Sequence, residues 1–423
     1  MTITSAVVRN WKKLLAATAV GIAAAGAVGI AHSDGPAETS DWRAAWAVPM
    51  QLPSEGFEPN WSTDGFADQT VRQVVRVTGG GTEARITLSN RYGADRLQIN
   101  AATIARTSQA AAVAPETIRP LRFGGAESVT IAPGEAATSD AAELRLAPFE
   151  SATVTLYLPA RTGPATFHAQ GYATSYRAGG DHAGDTGGAA FTETTHSWYY
   201  LSDLQVTGGR KPVGTVVAFG DSITDGYGAG NDTNHRYPDL LADRLAEAGA
   251  PRVVLNSGIG GNLVRNDSPW FGDSALKRFA RDVIAKPGVS SVVILAGLND
   301  VGFSEIDLPT YKPNPAVSVD ELIKGYRELI AKAHQAGISA IGATLLPMQG
   351  AEYYTDTSAA KIRLLNEWIR TSGEYDAVVD FNAALADPAD PERLAPAFDS
   401  GDHKHPNAAG YAAMAAAIDL KTL

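Results

Sequence analysis

The chain has 423 residues, 44% apolar and 19% charged, which is enough for two globular domains with cores of their own. Its formal net charge of −11, with no long Lys/Arg run, argues against nucleic acid and against an anionic membrane surface as partners. Having no cysteine, it excludes a disulfide framework, a thiolate nucleophile, a Cys-ligated zinc and a lipid anchor on cysteine.

Arg9, Lys12 and Lys13 form a basic start, followed by an Ala/Gly-rich apolar run over residues 14–31. Ala31-His32-Ser33 then supplies small residues at the spacing a signal peptidase reads. Residues 1–33 are therefore expected to be a signal peptide and the mature chain to be secreted, with no membrane contact after cleavage. A retained anchor is the rival, because the run approaches spanning length; its many Ala and Gly residues make it weakly hydrophobic.

From residue 41 to 209 the pattern is short and alternating. Val71, Val75 and Val77 alternate with Arg72 and Arg76, and Val154, Leu156 and Leu158 alternate with Thr153, Thr155 and Tyr157. Gly79-Gly80-Gly81, Tyr92-Gly93 and Pro133-Gly134 punctuate such runs as turn signals. The pattern predicts an antiparallel, jelly-roll-like β-sandwich domain over 41–209. Trp42, Trp46, Trp61, Trp198, Tyr199 and Tyr200 are more simply its core than a carbohydrate-binding face. His168 and His196 show no partner in the sequence and are taken as structural. The Gly-rich segment 178–190 reads as an exposed loop.

Beyond the Gly208-Gly209-Arg210-Lys211-Pro212 linker, strand runs at 216–219, 253–255, 292–295, 338–345 and 377–381 alternate with amphipathic helical patterns. One helix is predicted over 318–336, with Leu322, Ile323, Tyr326, Leu329 and Ile330 on one face. A Ser318/Glu321 capping box starts it and Gly337 stops it. A second runs over 238–248 and a third over 275–285. Strands alternating with helices predict an α/β domain over 213–423, a parallel sheet with helices on both faces.

Chemistry is concentrated where these strands end. Gly220-Asp221-Ser222 follows the first strand and puts a serine on a tight turn. A serine needs a base, an orienting carboxylate and oxyanion donors. In Gly401-Asp402-His403-Lys404-His405, the spacing lets Asp402 reach the His405 Nδ1 and leaves Nε2 for the serine. Asp399 with His403 is the looser competing pair. Gly260-Gly261-Asn262 follows the second strand, where glycine lets a backbone N–H approach the site, and Asn299 after the third can present a side-chain N–H. The second Gly-Asp-Ser, at 272–274, follows no strand; there Asp273 or Ser274 is read as a helix N-cap. Asp221 and Asp300 are read as loop braces, and Asp380 as a brace or a site group. Trp270 and Phe271 suit a substrate platform or loop packing equally. A zinc site on Asp402, His403 and His405 would crowd its ligands within four residues.

Taken together, these four blocks resemble the SGNH (GDSL) hydrolase superfamily, over residues 213–423. The resemblance places its serine, glycine, asparagine and histidine on Ser222, Gly261, Asn299 and His405, with Asp402 completing the triad. The segments 274–279 and 366–370 are similar to a secreted, xylan esterase-like branch, in which a β-sandwich precedes a three-layer αβα, flavodoxin-like catalytic domain. The Gly-x-Ser-x-Gly elbow of ordinary α/β-hydrolases is absent around Ser222. Lys404 stands where such members commonly have an apolar residue, and is expected at the rim, pointing to solvent. The resemblance implies a serine ester hydrolase with no metal or organic cofactor. Catalysis would use Ser222, Asp402 and His405, with an oxyanion hole from Ser222, Gly261 and Asn299. Its substrate would be a small-molecule or polysaccharide ester carrying short acyl groups. A lipase or broad carboxylesterase is the rival enzyme, and a carbohydrate-binding protein with a retired hydrolase domain the rival of another class.

Overall fold

Thr215–Gly220 is buried from end to end, with a strand paired on each side and both faces of the sheet covered. It lies second in a five-stranded parallel sheet in the order Val253–Gly258, Thr215–Gly220, Val289–Leu295, Ser339–Ala343, Ala377–Val379. This computed structural model describes residues 41–307 and 315–423; the expected signal peptide at 1–33 lies outside them. Among the described residues no helix is long and apolar enough to cross a membrane.

Helix Val319–Gln335 forms where the apolar face predicted it, with the Ser318/Glu321 capping box made in both directions. It joins Asp356–Thr371 on one side, while Tyr237–Glu247 and Ala408–Ala417 pack together in a second group. Three expectations need correcting. The last predicted strand stops at Val379, because Asp380 accepts from the Ala383 N–H and starts the short helix Phe381–Leu385. The strand expected at 338–345 pairs only over Ser339–Ala343. The helix expected at 275–285 is α-helical only to Phe279 and continues as a wider π-type turn over Ala280–Ile284.

Residues 43–207 form antiparallel sheets. One orders Arg43–Ala47, Leu201–Thr207, Glu83–Ser89 and Ala136–Thr138; the larger centres on Gln69–Arg76, Ser151–Leu158 and Ala101–Gln109. Inward residues of both, among them Ile86, Leu204, Val71, Val154 and Ile104, share one apolar core. Trp46, Trp61, Trp198, Tyr199 and Tyr200 belong to it, so these aromatics are packing and not a surface. Segment 178–190 is less free than its composition suggests. The buried Arg72 donates to the carbonyls of Asp185 at 2.6 Å and Gly187 at 3.1 Å.

Within the compact unit Asp41–Leu423, the antiparallel sheets sit against the edge of the parallel one. The Thr78 hydroxyl donates to the Val254 carbonyl at 2.9 Å and accepts from its N–H at 3.1 Å, using edge groups that would otherwise be open to further pairing. Arg76–Asp243 at 2.6 Å and the nearly buried Lys286–Asp203 at 2.5 Å add charged links.

Candidate active site

The turn after the first parallel strand is held by its own aspartate. Asp221 caps the short helix Ser222–Asp225, its Oδ1 accepting from the Ile223 N–H at 3.1 Å. Ser222 thereby stands at the carboxyl end of a central strand, the usual place for a site in an open α/β sheet. Its Oγ lies 2.7 Å from His405 Nε2. The other ring nitrogen, Nδ1, lies 2.6 Å from Asp402 Oδ2, and Asp402 Oδ1 accepts from the His405 N–H at 2.9 Å. Burial opposes charge on Asp402. The hydrogen bond and charge of His405, with backbone N–H groups, outweigh that and hold the carboxyl well below the usual carboxylate range.

The competing pair also forms: His403 Nδ1 meets Asp399 Oδ2 at 2.6 Å. The His403 side chain is 47% exposed and reaches no nucleophile, so the two histidines are divided between different carboxylates. Among the described residues no group of three or more His, Asp or Glu is arranged to hold a metal ion.

Gly261 and Asn299 line the same cavity as Ser222 and His405. Gly261 has φ +73°, and a Cβ there would come within 2.4 Å of the Phe271 ring, so the loop needs glycine on two counts. Asn299 is buried and donates one Nδ2 hydrogen to the Asn262 carbonyl at 3.2 Å, which leaves the second for the cavity. Asn262 is itself fixed, donating to the carbonyls of Phe271 at 2.7 Å and Asp273 at 2.9 Å.

Arg278 ties these loops together from beneath. Fully buried, it donates to the Gly220 carbonyl at 2.7 Å, the Ser257 carbonyl at 2.9 Å and Asn262 Oδ1 at 2.9 Å. Asp282, 3.4 Å away, partners its charge and Phe219 covers its face at 4.0 Å; burial still lowers the guanidinium to about 10. Spacing alone assigned it no role; its i,i+4 relation to Asp282 was the available signal.

Several sequence expectations resolve differently. Lys404 points inward: its Nζ is 3.3 Å from Glu352 and 4.9 Å from the centre of the Tyr353 ring, and it lines the cavity. Phe271 is buried packing and Trp270 packs on the core, so neither forms the platform. Ser274 makes no side-chain cap, and Asp273 pairs instead with Lys277, Arg281 and the Tyr92 hydroxyl. Asp380 is a brace, held by Arg370 and Thr344. Sequence reasoning missed the remaining walls: Tyr227, stacked obliquely 4.4 Å from the His405 ring, together with Phe303, and Phe57 and Gln170 from the antiparallel half.

Beneath the serine, Asp221 and Asp300 are both buried. Burial lifts each carboxyl to about 7, with the charge of Asp300 adding to the rise at Asp221; Asp221 Oδ2 has no partner among the described residues. An acid raised from 3.8 holds its proton longer folded than unfolded, so stability falls as pH rises from about 4 to about 7 and stays lowered above that. Asp221→Asn should therefore raise Tm relative to the parent at pH 8 and leave it nearly unchanged at pH 4. Thermal unfolding at the two pH values checks this, and an equal change at both would contradict it.

Residues 218–413 match the GDSL-like lipase/acylhydrolase family. A comparison with curated proteins finds no match. Among solved structures, an acetylxylan esterase from Geobacillus stearothermophilus is 25% identical over 49% of this chain and 92% of its own, with a TM-score of 0.38. A GDSL-like lipase from Bacteroides thetaiotaomicron is 23% identical over 51% of this chain and 91% of its own, also with a TM-score of 0.38. The C-terminal half of the chain thus carries a GDSL-like lipase/acylhydrolase domain, that of an ester-bond hydrolase.

Proposed function

We propose that the protein is a secreted serine esterase that removes short acyl groups from carbohydrate through an acyl-enzyme on Ser222. The observation that carries this is the unbroken line Ser222 Oγ–His405–Asp402, at 2.7 and 2.6 Å, opening into one small cavity. Ser222 Oγ attacks the ester carbonyl as His405 Nε2 takes its proton. Asp402 holds the imidazole with Nδ1–H toward itself and stabilises the imidazolium. The Ser222 and Gly261 N–H groups and Asn299 Nδ2 receive the oxyanion, each such donor contributing about 3 kcal/mol. His405 then protonates the leaving alkoxide, and water attacks the acyl-enzyme by the same base.

The cavity, about 150 Å³, is below the ~300–1,000 Å³ of sites that enclose drug-sized ligands, which favours acetyl over a long chain. Export through residues 1–33 fits a polysaccharide substrate outside the cell. Hydrolysis rates across acetyl to palmitoyl aryl esters, beside acetate release from acetylated xylan, test the reading. It expects kcat/KM to gain nothing beyond about four acyl carbons, since methylenes without a pocket stay in water, whereas a pocket that buried them would raise it by roughly tenfold per two methylenes. A rate rising toward palmitoyl would favour a lipase.

A further inference from the structure

We propose that the antiparallel half of the chain supplies part of the substrate site: the Gln170 carboxamide binds a hydroxyl of the ester's alcohol moiety, which is therefore a polyol. This rests on reading Ser222 as the ester nucleophile. Gln170 is only 5% exposed and lines the same cavity as Ser222. Its Oε1 is buried with no hydrogen-bond partner among the described residues. That oxygen is shut in against Gly260, so the Nε2 of the same carboxamide, which makes no hydrogen bond among the described residues, is the group left for whatever fills the cavity. Its N–H donors match a hydroxyl oxygen; an acyl chain carries no such acceptor.

The backbone around Gln170 is fixed by its neighbours. Gly171 N–H donates to the His196 carbonyl at 2.7 Å, Ala169 N–H to Gln51 Oε1 at 3.0 Å, and Ser197 Oγ to the Ala169 carbonyl at 2.7 Å. Two residues earlier, His168 is buried between the Pro49 carbonyl at 3.0 Å and Asp225 Oδ1 at 3.1 Å. Asp225 lies on the Ser222 helix, and its Oδ2 accepts from the Gly260 N–H at 3.2 Å. The strip bearing Gln170 is thus docked on the helix of the serine and on the loop of Gly261. The carboxamide also touches that loop directly, since a Cβ on Gly260 would sit 2.0 Å from Gln170 Oε1.

The rim has the complementary character. Phe57, 44% exposed, stacks on Phe271 at 5.5 Å, and Tyr227, 39% exposed, covers His405. Two accessible rings around a buried carboxamide present apolar faces and one polar contact, the pairing that a pyranose ring, with its C–H faces and equatorial hydroxyls, satisfies.

The test measures kcat/KM of the parent, Gln170→Met and Gln170→Glu on a monoacetylated methyl pyranoside and on 4-nitrophenyl acetate, which has no hydroxyl. Both variants should lower the glycoside value about tenfold more than the aryl value, mainly through KM. A second measurement uses the parent alone: methyl pyranoside should inhibit aryl acetate hydrolysis competitively, and at lower concentration than cyclohexanol. Ser222→Ala is run on both substrates. Turnover persisting in Ser222→Ala would overturn the esterase reading. Ser222-dependent turnover with an unchanged glycoside-to-aryl ratio, or equal inhibition by the two alcohols, would overturn the role of Gln170 alone and leave its carboxamide bonded to water.

Discussion

Ser222→Ala is expected to lower ester turnover by about 10⁴–10⁶-fold with the fold intact. The side chain is small and, among the described residues, its Oγ bonds only to His405 Nε2, so removing it leaves a polar atom on the cavity wall that water can reach. One hydrogen bond at the cavity wall is lost, and the free energy of unfolding should change by less than about 1 kcal/mol. The helix cap that shapes the turn comes from Asp221 and stays in place. Steady-state rates with an aryl acetate, beside a urea titration, separate the two effects. Rates within tenfold of the parent would remove Ser222 from the chemistry. A large loss of stability would show that the serine holds the turn.

Arg278→Met should instead unfold the protein's central scaffold, costing about 3–5 kcal/mol. The guanidinium is fully buried and serves three loops at once: the Gly220 turn before the serine, the Ser257 strand end and the Asn262 side chain. Removing it leaves Asp282 to Arg281 alone, at 2.8 Å, and takes a charged donor from the Gly220 and Ser257 carbonyls and from Asn262 Oδ1. Arg278→Lys keeps the charge but not the planar fork, and recovers only part of the loss. The exposed pair Arg327–Glu374 is the control, where Arg327→Met should cost far less. Because Asn262 carries the carbonyl that orients Asn299, a folded Arg278→Lys protein should also lose kcat more than KM. Equal stability losses at Arg278 and Arg327 would contradict this assignment.

The parallel half was legible because its signals are local. An all-apolar run such as Thr215–Gly220 can only be a buried strand or helix, and its length and β-branched content decide between them. The Ser318/Glu321 box and Gly337 bracket a helix whose buried face has the right period. The motifs after strands were readable for the same reason: Ser222, Gly261, Asn299 and the Asp402/His405 turn all lie within short blocks, and the structure brings them to one cavity. What stayed hidden depends on tertiary approach. Gln170 and Phe57 reach that cavity from segments more than fifty residues before Ser222, and no spacing marks them. Lys404 was placed at the solvent by its charge alone, whereas Glu352 and the Tyr353 ring draw it inward. His168 lacked a visible partner because Asp225 lies 57 residues on, in the other half.

The central claim, that Ser222 is a nucleophile activated by His405, is tested most directly by covalent labelling with a fluorophosphonate and peptide mass spectrometry. One stoichiometric adduct on the peptide containing Ser222 is expected, absent in Ser222→Ala and formed at least about 10³-fold more slowly in His405→Ala. Labelling on another residue, or at Ser222 with a rate indifferent to His405, would contradict it.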